Sequence, residues 1–337
     1  MAPLSSAPSP LLSVVIPSHH YGKFINQCLE SLRPSPIPLD IIVVENGSRE
    51  LDDSLAAVVS PHELVLIHLN EADLSTARNT GLQVARGEFV FFLDADDVLD
   101  IETVVETLQT DTASRCDAVH FNAAEFYSGS LAEDTPLDRP KTHEHSQRES
   151  IPRVTTGIDF ILRRVLTNTY SPVTGRFAFR RETTNSLQMV FTEGYIHEDH
   201  SFVFRFLHNT NCLMLSPHVA LHKRHHRNSL SSTMPNTLSI TGYRQAALEI
   251  MSTIGGRKRK SAWVGDIAAK AVCTRILYIA TKKRVGESSK KVNRLNYLRA
   301  VFRAIHALLK HLALLPVAAL IVASTKTPKG RDVGCKQ

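Results

Sequence analysis

The stretch Phe89-Val90-Phe91-Phe92-Leu93-Asp94-Ala95-Asp96-Asp97 sets an apolar run directly before three carboxylates. A short run that is apolar on both faces reads as a buried strand of a parallel sheet. Carboxylates gathered at its end repel one another unless a cation or strong donors stand between them. Clustered oxygen ligands of this kind suit Mg²⁺ or Mn²⁺ shared with a diphosphate. An Asx-rich turn capping a helix that starts near Ile101 accounts for the same residues. The stretch by itself leaves both readings open.

Outward from it, the first 125 residues alternate between two kinds of segment. Leu12–Ile16, Ile41–Val44, Leu64–Leu69 and Ala118–Phe121 are further short apolar runs and predict strands. Phe24, Cys28, Leu29 and Leu32 follow helical spacing up to Pro34. Leu74, Ala77, Leu82 and Ala85 do so before Gly87, and Ile101, Val104, Val105 and Leu108 after the acidic stretch. This alternation predicts an α/β fold, a mostly parallel sheet with helices on both faces and right-handed crossovers. Ligands of such folds sit beyond the carboxyl ends of the strands. Ser128–Thr156 is polar and without periodicity and is expected to be a long loop. Gly157–Leu166 and Ser201–Leu207 read as helices, Phe177–Arg180 as extended, and the chain from Thr237 as mainly helical with no fixed repeat.

Composition narrows the class. The 337 residues carry 39 Lys+Arg against 33 Asp+Glu, a net charge of +6, and are 43% hydrophobic and 21% charged. That is an ordinary globular balance, not a disordered or fibrous one. Five scattered cysteines with no CxxC argue against a disulfide framework or a zinc knuckle and fit a reducing compartment. The N-terminus lacks the character of a signal peptide and no stretch of 18 apolar residues occurs without a charge or a proline, so a cytoplasmic location is expected. From Gly255 onward the excess charge gathers in Arg257-Lys258-Arg259-Lys260, Lys282-Lys283-Arg284 and Lys290-Lys291. Solvated helix faces explain such runs, as does attraction to anionic lipid headgroups. Nucleic acid is not expected as a partner, because no aromatic residues interleave with these lysines. Residues 304–323 are strongly apolar but include Lys310, two histidines and Pro316, which suits a helix lying on a membrane surface or packed on the core.

The acidic stretch has company. Val14-Val15-Ile16-Pro17-Ser18, Val43-Val44-Glu45-Asn46-Gly47-Ser48, Leu74-Ser75-Thr76-Ala77-Arg78-Asn79-Thr80-Gly81 and Leu93-Asp94-Ala95-Asp96-Asp97 follow one another in that order. Together they resemble the family 2 glycosyltransferases of the GT-A fold, whose usual forms are VSVIIPxYN, VDDGSxD, SxARNxG and FLDxDD. Glu198-Asp199 resembles that family's ED motif, and Arg224–Ser229 its RxHxxS stretch. The resemblance covers residues 11–100 closely and implies an inverting, metal-dependent transfer from a nucleotide-sugar to a glycan or lipid-linked acceptor, of the kind used in bacterial cell-surface polysaccharide synthesis.

Residue by residue, the resemblance implies the following. Pro17, with Ser18 and His19, sits where the first strand turns over the base. Glu45-Asn46 stands where Asp-Asp is usual, with Asn46 at the position that accepts the uracil N3–H. Arg78 would lie near base and phosphates and Asp94 would reach the ribose. Asp96 and Asp97 would hold Mn²⁺ or Mg²⁺ and its bridged diphosphate, with His226 as a third protein ligand. Asp199 would be the general base. UDP is the favoured nucleotide. The implied organisation is a tail at 1–10 and a GT-A domain at 11–235, divided into a nucleotide-binding half at 11–125, a loop at 126–156 and an acceptor half at 157–235. A helical region follows at 236–337, with a candidate membrane-surface helix at 298–325 placing the enzyme on the inner face of the cell membrane.

Plainer roles exist for several of these residues. Asp199 stands before an apolar helical segment and could cap it, Ser75 and Thr76 could cap the helix at Ala77, and His218, His222 and His225 read as surface or core histidines. The altered Glu45-Asn46 pair keeps open a catalytically silent GT-A module that binds glycan or membrane partners. A sugar-nucleotide pyrophosphorylase would want a glycine-rich loop after the first strand, where His19-His20-Tyr21 stands.

Overall fold

The computed structural model describes residues 10–20, 22–127, 151–167, 169–226, 236–253 and 262–285. Strands β1 (Leu12–Ser18), β2 (Asp40–Asn46), β3 (Glu63–Leu69) and β4 (Phe89–Phe92) form the first half of the sheet. They are joined through helices α1 (Gly22–Glu30), α2 (Leu55–Val58) and α3 (Leu74–Val84). A two-residue strand β5 (Val98–Leu99) and helix α4 (Ile101–Leu108) follow, then β6 (Ala118–Tyr127), β7 (Arg153–Thr155), α5 (Gly157–Leu166) and β8 (Phe177–Arg180). The described chain continues with α6 (Arg181–Ser186), α7 (Glu198–Asn209), β9 (Leu213–His225), α8 (Asn236–Ser252) and α9 (Ala262–Val285).

The strands make one sheet in the order β3-β2-β1-β4-β8-β6-β9-β5, with β7 beside β9. The pairs β1–β2, β2–β3, β1–β4 and β6–β9 are parallel, whereas β8 runs antiparallel to both β4 and β6. The carboxyl ends of β1, β2, β4, β6 and β9 therefore lie along one edge.

Alternation along the strands explains why they are apolar on both faces. Val14, Ile16, Ile41, Val43, Phe89 and Phe91 pack on one side with Ile25, Cys28 and Leu29 of α1 and Val104, Val105 and Leu108 of α4. Val15, Ile42, Val44, Val90 and Phe92 pack on the other side with α3, α5 and α7. Tyr243, Ala247 and Ile250 of α8 and Ala268, Val272 and Ile276 of α9 join that second core. An aromatic ladder runs through it: Phe191 stacks on Phe202 with centroids 3.9 Å apart, and Phe92 meets both rings edge-on at 5.1 and 5.9 Å.

Several features depart from the sequence reading, among them short α2, β5 and α6, which it did not predict. The segment expected to be a loop over 128–156 ends in β7, whose β-branched Val154 and Thr155 pair with Met214 and Leu213 of β9; residues 128–150 lie outside the described residues, as does 298–325. The thirteen-residue β9 has no counterpart in the sequence reading, because Ser216, Pro217 and His218 break its apolar pattern. The cap of α3 is neither Ser75 nor Thr76 but Asp73, whose carboxylate accepts the Thr76 N–H at 2.7 Å, while Ser75 donates to the Thr192 carbonyl. No described helix is long and apolar enough to cross a membrane.

Candidate active site

The turn after β4 brings one oxygen each of Asp94, Asp96 and Asp97 to within 4.8 Å of one another. The end of β9 closes over it. The Arg224 N–H donates to Asp97 Oδ1 at 2.8 Å and the Arg224 Nε–H to the Asp96 carbonyl at 2.7 Å, while His226 Nε2 lies 2.9 Å from Asp96 Oδ2. The Arg224 guanidinium sits between the Phe24 and Phe126 rings, 4.9 and 4.7 Å from their centroids, and donates to Gln27. Register thus brings together Asp96 and His226, which are 130 residues apart.

Burial, then the charges of Asp94 and Asp96, pushes the Asp97 carboxyl well above its usual range. Burial and Asp94 push Asp96 up as well, against the hydrogen bond from His226. Burial disfavours the ammonium of Lys223, but Asp94, Asp97, Asp199 and Asp96 together hold it above its ordinary value. Oxygen ligands that resist ionising together until positive charge arrives fit a hard divalent cation.

Beside this cluster lies a second set of acids. Arg78, on the first turns of α3, donates through Nη1 to Glu198 and through Nη2 to Asp94 Oδ1 at 2.9 Å. Its guanidinium lies 5.5 Å from the Phe191 ring centroid, and its Nε is buried with no hydrogen-bond partner. Burial pushes Glu198 up to about 7 against the pull of Arg78, with Asp199 adding to the rise. Burial pushes Asp199 up to about 6 although Arg78 and Lys223 oppose it. Helix α7 starts from His197, whose side chain makes no cap hydrogen bond, and Asp199 stands in its first turn, where the His200 backbone N–H also favours its ionised form.

The ends of β1 and β2 sort the remaining candidates. Pro17 and Ser18 pair with Val44 and Glu45, and the His19 ring meets the Asn46 carbonyl. Glu45 is fully buried and accepts from Ser48 Oγ at 3.0 Å and Leu51 N at 3.2 Å, with His68 Nδ1 2.6 Å away. Burial opposes its ionisation, yet the hydrogen bonds from Glu50 N, Ser48 and His68 hold the carboxyl below its usual range. Glu45 therefore builds the turn after β2, beside Asn46. Asn46 Oδ1 accepts the Asp73 N–H at 2.7 Å. That bond fixes the amide orientation, since a flip would oppose two donors. The turn needs Gly47, whose φ is +76° and where a Cβ would fall 2.6 Å from Ala72 N. Arg78, expected near base and phosphates, is 5% exposed and spends its donors on carboxylates. Lys223 escaped the sequence reading altogether; its one signal was adjacency to Arg224.

A mostly parallel sheet with an acid cluster at the end of its fourth strand, and buried Glu198 and half-buried Asp199 beside it, is the GT-A arrangement. Residues 13–183 match the model of glycosyl transferase family 2, and the chain belongs to that family. The glycosyltransferase YibD of Escherichia coli is 29% identical over 205 residues, covering 59% of this chain and 56% of its own. The glycosyltransferase EpsH of Bacillus subtilis is 31% identical over 144 residues, covering 40% of this chain and 42% of its own. The chain thus spans about half the length of the curated relatives it matches. A crystal structure of Staphylococcus aureus TarS in complex with UDP-GlcNAc shares the fold, with a TM-score of 0.58 at 18% identity over 88% of this chain and 81% of that one.

Proposed function

We propose that this protein is an inverting glycosyltransferase that moves a sugar from a UDP-sugar to a hydroxyl of a glycan or lipid-linked acceptor. The observation that carries this reading is Arg78 joining Asp94, in the acid cluster, to Glu198 of the raised-pKa pair Glu198-Asp199. The nucleotide lies over the carboxyl ends of β1, β2 and β4, with its base toward Pro17, Ser18, His19 and Asn46 and its ribose toward Asp94. Asp96, Asp97 and His226 would hold Mn²⁺ or Mg²⁺, which neutralises charge on a departing diphosphate.

Asp199 is the base. As the acceptor oxygen bonds to the anomeric carbon, the bond from that carbon to the diphosphate oxygen breaks, and the hydroxyl proton passes to an Asp199 oxygen. A single displacement of this kind inverts the anomeric centre. A carboxylate pushed up to about 6 is ionised at neutral pH yet a better proton acceptor than an ordinary aspartate. Lys223 and Arg78 keep its negative charge tolerable in a buried site. The basic clusters at 257–260 and 282–284 support docking on an anionic membrane surface, where a lipid-linked acceptor would be met.

The test is a screen of UDP-, GDP- and TDP-sugars with Mn²⁺ present, reading the nucleoside diphosphate released. Release of UDP that depends on an added glycan or lipid-linked acceptor is the expected result. Nucleotide binding without turnover of any donor would instead favour a silent binding module.

A further inference from the structure

We propose that one face of α8, formed by Ser239, Gly242 and Tyr243, positions the Glu198-Asp199 pair through His197. The proposal rests on the reading of Asp199 as the base. These three residues have the i, i+3, i+4 spacing that places side chains on one helix face.

Each makes a contact with the segment that leads into α7. A Cβ at Gly242 would fall 2.0 Å from the Ile196 carbonyl oxygen, so α8 touches that backbone directly. Ser239, wholly buried, is hydrogen-bonded through Oγ to His197 Nε2 at 2.6 Å. The Tyr243 ring stacks on the His197 ring with centroids 3.8 Å apart and planes 10° from parallel.

His197 is where such a hold has an effect. It adopts φ 67° and ψ 28°, a left-handed conformation that residues with a Cβ rarely keep unless the surroundings impose it. The next residue begins α7, which has no side-chain cap to orient its first turn. The direction in which Glu198 and Asp199 leave the backbone is therefore set by the bend at His197. Tyr243 also meets the His200 ring edge-on at 5.4 Å. One aromatic ring thus touches the residues immediately before and after the acid pair. The Tyr243 hydroxyl is pushed up by burial and then by the Asp199 charge, which places phenol and carboxylate in one electrostatic neighbourhood.

A positioning role predicts a loss in turnover without a loss in donor affinity, because the base acts only as the acceptor attacks. The experiment compares Tyr243→Leu, Tyr243→Phe, Ser239→Ala and Asp199→Asn for kcat and donor KM, with UDP as the binding probe and the donor found in the screen as substrate. Assays run well below each variant's Tm. Tyr243→Leu is expected to lower kcat by roughly 10- to 100-fold, the scale of a misplacement near 1 Å, with donor KM and UDP Kd within about twofold. Tyr243→Phe keeps the stack and should restore kcat, and the milder Ser239→Ala should show the same split at smaller size. Unchanged kcat in Tyr243→Leu beside a disabled Asp199→Asn overturns the proposal and leaves the base in place. A loss confined to donor KM, or a Phe variant as damaged as Leu, also overturns it. Full turnover in Asp199→Asn removes the base itself and the proposal with it.

Discussion

Arg78 and Glu198, 120 residues apart in the chain, form an ion pair whose side chains are only 6% and 4% exposed. The same guanidinium reaches Asp94 at the end of β4. One cation therefore ties α3 to α7 and links the acid cluster to the acid pair. A buried pair of this kind balances a large desolvation cost against attraction, and losing one partner leaves the other charge stranded.

Arg78→Met removes the cation and leaves two carboxylates facing each other. The expected cost is about 3–5 kcal/mol, seen as a Tm lower by roughly 10 °C in thermal unfolding. A variant melting with the wild type would show that the pair contributes nothing to the fold.

Asp199→Asn keeps the shape of the side chain and removes its proton affinity. UDP affinity should stay within a few-fold, while turnover falls by roughly 10²–10⁴. Because the Asn amide oxygen can still accept from the His200 N–H, the substitution should not lower Tm. A drop in Tm with normal turnover would assign Asp199 to structure.

The raised carboxyls also predict a pH dependence. Asp199 at about 6 and Glu198 at about 7 bind protons more tightly in the folded chain than in the unfolded one. Their contribution to stability is present below pH 4 and is lost as pH rises through 6 and 7. The Tm of Asp199→Asn relative to wild type should therefore climb between pH 4 and pH 7. The rate of sugar transfer should rise with pH through about 6 as the base ionises, and the Asn variant should lack that limb.

Metal removal gives a prediction with two signs. EDTA should abolish transfer and weaken UDP binding, and added Mn²⁺ should restore both. Asp97→Asn relieves repulsion among Asp94, Asp96 and Asp97 while keeping an oxygen for the Arg224 N–H. It should raise Tm in EDTA and erase the Tm increase that Mn²⁺ and UDP produce in the wild type.

Asn46→Asp keeps the acceptor for the Asp73 N–H and so should leave Tm within about 2 °C. It replaces an amide NH₂ by a second acceptor oxygen, which a base docked over Asn46 could meet. The ratio of UDP to CDP affinity should increase, read by competition titration, since only uracil offers an N3–H.

Strands such as Val14-Val15-Ile16 and Phe89–Phe92 were legible in the sequence because both faces are buried, which removes the alternation that would otherwise blur a short run. The acid cluster was equally legible, since three residues within four positions carry it. The structural part that Glu45 plays was not legible, for a physical reason. A carboxylate in a strand-end motif looks the same whether it faces a ligand or accepts from Ser48 and Leu51 beneath the turn. Likewise β7 and β9 carry mixed patterns that only their pairing stabilises.

By itself the sequence determined the α/β alternation, the existence of the first four strands and the acids that follow the fourth, because those features rest on neighbours a few residues apart. Tertiary structure alone decided what the acids do to one another. Asp199 rises to about 6 because packing of α7 against the sheet partly desolvates it. Asp96 meets His226, and Glu198 meets Arg78, only because β9 and α7 return to the carboxyl edge of β4. Charge interactions depend on distance and burial in space, and neither can be read along the chain.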